Sequence, residues 1–204
     1  MRLPRPRRST FGVGALVVAG LAVTQSLDAL LPSATGADFG TGAQRPFVRE
    51  GVVGTPIALR TGDLTVTAVE GATTLEESGA YPVTTEAVFV VVHFTWKPQR
   101  EKGTIAVAEV AGGDDRVFRA TSIGSGRDGV TCPFPPPGVT AECTAVIELP
   151  RDALPGSSVT LSTNAIDEGL DDVARVDLGV DAATSGTWGR GRTANVSSRL
   201  VGLS

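Results

Sequence analysis

Residues 86–97, Glu-Ala-Val-Phe-Val-Val-Val-His-Phe-Thr-Trp-Lys, constrain what this chain can fold into more than any other stretch. In an extended strand Val88, Val90, Val92, Phe94 and Trp96 fall on one side, and Phe89, Val91, His93 and Thr95 on the other. One face is wholly apolar and the second partly so, the pattern of a central strand in a two-layer sandwich. Pro98 stops it.

Other segments repeat the theme. Leu64, Val66 and Ala68 alternate with Thr65 and Thr67. Residues 104–111 and 116–121 flank Gly112-Gly113-Asp114-Asp115, a hairpin turn. Residues 142–149 alternate Cys143, Ala145, Ile147 and Leu149 against Thr144, Val146 and Glu148. Strands are predicted at 158–163 and 173–180, the latter with Ala174, Val176, Leu178 and Val180 on one side. About eight short strands separated by turn signals, with no sustained helical period, predict an all-β sandwich over 51–181. Residues 32–50, rich in Pro, Ser, Gly, Thr and Ala, read as a flexible linker. Residues 182–204 read as a flexible tail in which Trp188 is exposed.

The N-terminus has a different character. Arg2, Arg5, Arg7 and Arg8 precede Phe11–Val23, 13 residues without a polar side chain. A basic stretch before an apolar one keeps the arginines cytoplasmic and sends the following chain across a membrane. Extended to Leu31, the segment would form a helix of about 31 Å, enough to span a bilayer. Residues 1–31 are therefore expected to be an uncleaved signal anchor, with a cleaved signal peptide as the alternative. The first places the domain outside a cell membrane on a single span; the second makes it a secreted protein.

Charge narrows the partners. Residues 32–181 hold 11 basic and 21 acidic side chains, a net of −10. Such a domain repels phosphate backbones, so no nucleic-acid partner is expected. Only Lys97 and Lys102 are lysines. Cys132 and Cys143 are the only cysteines, and beyond an export signal they are expected to form a disulfide. It would close a loop containing Pro133-Phe-Pro-Pro-Pro-Gly138 and staple it to the strand beginning near Cys143.

Candidate chemistry is sparse. His93 is the only histidine, and no Gly-x-Ser-x-Gly elbow accompanies it. It is read as a satisfied strand residue, and no catalytic residue or cofactor is expected. Asn164, Asp167, Glu168, Asp171 and Asp172 make an acidic loop before the last strand. Its carboxylates, Asp167, Glu168, Asp171 and Asp172, are weak calcium candidates because calcium prefers hard oxygen ligands. Their spacing does not match the Asp-x-Asp-x-Asp-Gly loop, and a solvated turn is the favoured reading. The predicted domain has Tyr81, Trp96 and four Phe, too few aromatic platforms to favour a sugar-binding module.

Three stretches carry a family resemblance: Asp63-Leu-Thr-Val-Thr-Ala-Val69, Val88-Phe-Val-Val-Val-His-Phe-Thr-Trp96 and Val146-Ile-Glu-Leu-Pro-Arg-Asp152. With the hairpin before Arg116-Val-Phe118, they resemble the secreted or membrane-anchored immunoglobulin-like domains of unknown function of high-GC Gram-positive bacteria. The family typically has Asn where Pro98 stands here. The resemblance implies an immunoglobulin-like antiparallel β-sandwich over roughly residues 52–180 and implies no catalytic residues. Together these features predict an extracytoplasmic interaction or sensor-like accessory module, held to the membrane by its N-terminal helix, with an envelope protein as partner. The alternative is a secreted domain that binds a small ligand or calcium.

Overall fold

The structure, a computed structural model, describes residues 46–77, 81–121, 129–164 and 171–202. The predicted N-terminal helix and most of the predicted linker lie outside them. The described elements are β1 (Phe47–Gly51), β2 (Ile57–Leu59), β3 (Gly62–Glu77), β4 (Val83–Pro98), β5 (Val107–Ala111), β6 (Val117–Thr121) and β7 (Gly129–Thr131). They continue with β8 (Ala141–Leu149), a 3-10 turn at Arg151–Ala153, β9 (Ser158–Ser162), β10 (Asp172–Asp177), β11 (Thr193–Val196) and β12 (Arg199–Leu200). The all-β expectation holds, with twelve strands among the described residues where the sequence pattern predicts about eight. No helix among the described residues is long and apolar enough to cross a membrane.

The strands form two sheets. One runs β1-β10-β9-β5-β6; the other runs β11-β3-β4-β8-β12, with β2 added to β3 and β7 to β8. The expected apolar face of β4 (Val88, Val90, Val92, Phe94 and Trp96) lies in one core with Val110, Val159, Leu161, Ala174 and Val176 of the other sheet. Each Val, Leu or Phe among them, fully buried, contributes about 1.5–3 kcal/mol of transfer free energy. Leu178 and Val180 join the same core, as their alternation predicts.

Alternation in β3 holds only as far as Val66. Val66 pairs with Phe94 and Ala68 with His93, so Thr67 is an inserted residue. This bulge turns Ala68 outward and brings Val69 against the core. Ala68 therefore does not share the face of Leu64 and Val66. Further along, Ala72 pairs with Phe89 but Thr74 with Thr84. Beyond that slip, Leu75 and Val83 at the hairpin's far end pack with Phe89 and Val91 in a second, smaller cluster.

The C-terminal segment is where expectation and structure part. The composition of residues 182–204 predicts a flexible tail, yet β11 pairs with β3 and β12 with β8. Ala194 and Val196 of β11 cover Phe89, Val91 and Val146 in the second cluster. Arg192 offers its carbonyl to the N–H groups of Thr73 and Thr74 at 3.0 and 3.2 Å. The segment begins with a turn in which Asp181 accepts hydrogen bonds from the Thr184 hydroxyl and N–H, both at 2.7 Å. Those bonds hold the Asp181 carboxyl below its usual range.

Trp188 is docked rather than exposed. Gly71 leaves room for its ring, since a Cβ there would stand 2.5 Å from it. Arg151 donates to the Trp188 carbonyl at 2.8 Å. Gly189, at φ +70°, has the left-handed backbone that glycine adopts without strain, and a Cβ there would lie 2.2 Å from the Gly71 backbone.

Two further expectations are corrected. The predicted 32–50 linker overlaps β1, whose first residues pair with β10 and whose Phe47 N–H donates to Asp171. Phe47 to Glu50 are all exposed on this edge strand, so no alternation marks them. The sheets are also not purely antiparallel: β1 with β10 and β11 with β3 are parallel pairs.

Candidate binding cleft

At one end of the sandwich the turn after β4 makes a shelf. Pro98 ends the strand, and the loop 98–104 is then tied down at several points. Trp96 is buried, and its indole N–H donates to the Gly103 carbonyl at 3.1 Å. The Gln99 N–H donates to Thr61 at 3.0 Å, and its side-chain amide reaches the Asp63 carboxylate at 3.2 Å. The Thr104 hydroxyl donates to the Cys132 carbonyl at 3.2 Å.

The Pro-rich loop stands beside this shelf and is fixed from both ends. Cys132 and Cys143 form the expected disulfide, with Cα atoms 4.5 Å apart. The β7–β8 register, in which Thr131 faces Thr144, sets the two cysteines directly opposite each other. At the other end the Gly138 N–H donates to the Pro98 carbonyl at 2.7 Å. Phe134, carried between these ties, is 60% exposed, and the Lys102 ammonium lies 5.9 Å from its ring centre.

Between the two loops opens a cleft of about 560 Å³, lined by Arg60, Pro98, Arg100, Lys102, Phe134 and Asp171 among others. Its volume falls in the range of small-ligand and side-chain pockets. Arg60 forms an ion pair with Asp171, and its N–H donates to Asp172 at 3.0 Å. Asp172 also meets Arg49 at 3.4 Å, and Asn164 reaches Asp171 at 3.5 Å. Two of the weak calcium candidates, Asp171 and Asp172, are thus engaged by arginines. Asp167 and Glu168 lie outside the described residues. Among the described residues no three His, Cys, Asp or Glu side chains gather to hold a metal ion.

His93 sits on the sheet surface away from this cleft. Its Nε2 lies 3.0 Å from Glu70 and its Nδ1 3.4 Å from the Thr144 hydroxyl. That hydroxyl is buried and donates to the Ser197 carbonyl at 2.7 Å. The carboxylate–imidazole–hydroxyl row therefore links β3, β4 and β8 to the C-terminal segment. The Thr144 proton is committed to a carbonyl, whereas a nucleophile would need to give it to the histidine.

Nothing in the sequence pattern groups Lys97, Arg100 and Lys102 as a site. The available signal is that both lysines of the chain fall within residues 97–102. What hides their meaning is the neighbour they serve: Phe134 lies some thirty positions away and meets Lys102 only through the disulfide-bound loop.

No protein-family model matches this chain, and no curated protein matches it. Among solved structures it is similar to an uncharacterized β-sandwich protein from Clostridium difficile 630. That likeness has a TM-score of 0.44 and 14% identity, covering 65% of this chain and 96% of the other. It is also similar to the yjhA protein from Bacillus subtilis, with a TM-score of 0.38 and 15% identity over 61% of this chain and 98% of that one.

Proposed function

We propose that this chain is an extracytoplasmic, immunoglobulin-like interaction module of the cell envelope, anchored by its N-terminal segment and acting as an accessory or sensor-like subunit. The basic, then apolar, residues 1–31 support the anchor and the outward placement. The strand order supports the immunoglobulin-like reading: β3-β4-β8-β7 on one sheet and β6-β5-β9-β10 on the other correspond to an A-B-E-D sheet facing C′-C-F-G. Here the disulfide joins neighbouring strands of one sheet instead of bridging the two.

The observation that carries the interaction reading is the cleft beside Phe134. A large apolar side chain is held in solvent by a disulfide and a backbone hydrogen bond, at the end of the sandwich where the loop after β4, the β7–β8 loop and Thr163 and Asn164 after β9 converge. Loop ends of such sandwiches are where binding residues are set on a rigid frame. Exposed apolar surface next to a preformed recess suits an anchor residue of a partner protein.

The test is photo-cross-linking in native cells with a benzophenone amino acid at position 134 or, as a comparison, at Val117, which is equally exposed on the edge strand β6. A single envelope protein captured from position 134 and not from 117 is the expected result. Equal capture at both positions, or none at 134, sinks the reading.

A further inference from the structure

The cleft reverses the charge of the domain that carries it. Residues 32–181 have a net charge of −10, yet the described lining of the cleft holds Arg60, Arg100 and Lys102 against Glu101 and Asp171. Inside the cleft Arg60 is balanced by Asp171. Arg100 and Lys102 are exposed and have no carboxylate partner among the described residues. With Arg60 balanced, these two cations face one remaining lining carboxylate, Glu101, which gives the described lining a small positive excess in an otherwise acidic domain.

The apolar part lies next to them. Phe134 and Pro98 line the same recess, and Lys102 lies over the Phe134 ring. We propose that the cleft receives an extended acidic peptide segment of the partner, one apolar side chain against Phe134 and Pro98 and flanking carboxylates on Arg100 and Lys102. This rests on the interaction reading above and names the chemistry of that same site. Arg100 can hold a carboxylate with two parallel hydrogen bonds, while Lys102 acts as a point charge. The loop ties at Trp96, Gln99, Thr104 and Gly138 are already made, which lowers the ordering cost of binding. The recess favours a protruding peptide over a flat anionic membrane, which would meet the cations but leave the cleft unfilled.

The probe is a random ten-residue peptide library displayed on phage and selected against the full chain in detergent. The expected winners carry Asp or Glu on both sides of an aromatic or aliphatic residue. Their affinity falls at least about tenfold in Arg100→Glu/Lys102→Glu, and replacing their acids by lysines restores binding to that variant. Arg100→Gln/Lys102→Gln, with a milder charge change, loses binding without the reversal. Enrichment of basic or uncharged peptides, or of none, overturns the proposal. So does a charge-reversal loss seen only on phosphatidylglycerol vesicles, which assigns the cations to lipid. If position 134 still captures its envelope protein while no acidic peptide is selected, this inference fails and the interaction reading stands. If acidic peptides are selected while position 134 captures nothing in cells, the peptide chemistry of the cleft stands and the envelope-partner reading fails.

Discussion

The two faces of β4 are buried by different means. Its inner face, with Val88, Val90, Val92, Phe94 and Trp96, meets a second sheet across a continuous core. Its outer face, with Phe89 and Val91, is covered by the far end of its own hairpin and by the four-residue strand β11. Both sets are fully buried, so accessibility alone does not separate them. They differ in what would have to move to expose them: a whole sheet on one side, a short terminal segment on the other. Local opening is far easier where few buried contacts hold a segment.

The sharpest test of this difference is a matched pair of truncations. Phe94→Ala should cost roughly 4 kcal/mol in urea unfolding, because neither sheet can settle into the cavity. Phe89→Ala should cost roughly 3 kcal/mol, because the hairpin tip and β11 can partly close over the gap. Equal losses would mean that the terminal cover is as rigid as the sheet.

Removing the Cys132–Cys143 bond by double alanine substitution frees the loop in the unfolded chain. With a separation of 11 residues the entropic loss is about 3 kcal/mol, read as a lowered unfolding midpoint. The effect should leave the outer cluster's protection intact. Slowed or hastened exchange at Ala194 would couple the two regions and blur the distinction.

Deleting residues 191–204 removes β11 and β12 and uncovers Phe89, Val91 and Val146. The expected outcome is a loss of roughly 2–3 kcal/mol with new binding of a hydrophobic dye, while the inner core still unfolds cooperatively. An unaltered melting curve would show that the segment adds nothing, and complete unfolding would make the two clusters one unit.

A smaller change strikes the docking of Trp188. Gly71→Ala puts a methyl group 2.5 Å from its ring, and a loss of about 1–3 kcal/mol is expected. Indole fluorescence should shift toward that of a solvated tryptophan, and an unshifted spectrum would refute the close packing.

The smallest effect is electrostatic. Arg199 donates to Glu142 at 2.7 and 3.1 Å and holds that carboxyl below its usual range. A lowered carboxyl value stabilises the fold fully above the ordinary carboxylate range, and that stability is lost as pH falls through the lowered value. Glu142→Gln should therefore lower Tm slightly at neutral pH and leave it unchanged in strong acid. A difference that grows on acidification would reverse the assignment. The pair is exposed, so added salt should also shrink the effect.

How much of this is readable in advance varies by element. Strand β4 and the alternation of β10 are legible because a period of two over many residues leaves little freedom of interpretation. The disulfide is legible because only two cysteines exist. The bulge at Thr67 is not, since a single inserted residue looks the same as its neighbours and only the partner strand reveals it. The C-terminal strands escape for a related reason: β11 has four residues and only Ala194 and Val196 turn inward. The outer face of β4 holds the missing clue. Exposing Phe89 and Val91 to water would be costly, so their presence requires a cover that the sandwich alone does not supply.

The sequence by itself determined the all-β class, the main central strand, the cysteine pair and the acidic character of the domain. Each depends on side-chain periodicity, residue count or charge, which are local or additive. Only the tertiary structure decided which segment covers the outer face, that Asp171 and Asp172 answer arginines, and that two lysine-loop cations share a cleft with Phe134. Those are meetings between residues distant in the chain. They are fixed by strand register and by which loops the topology brings to one end, and no local pattern records them.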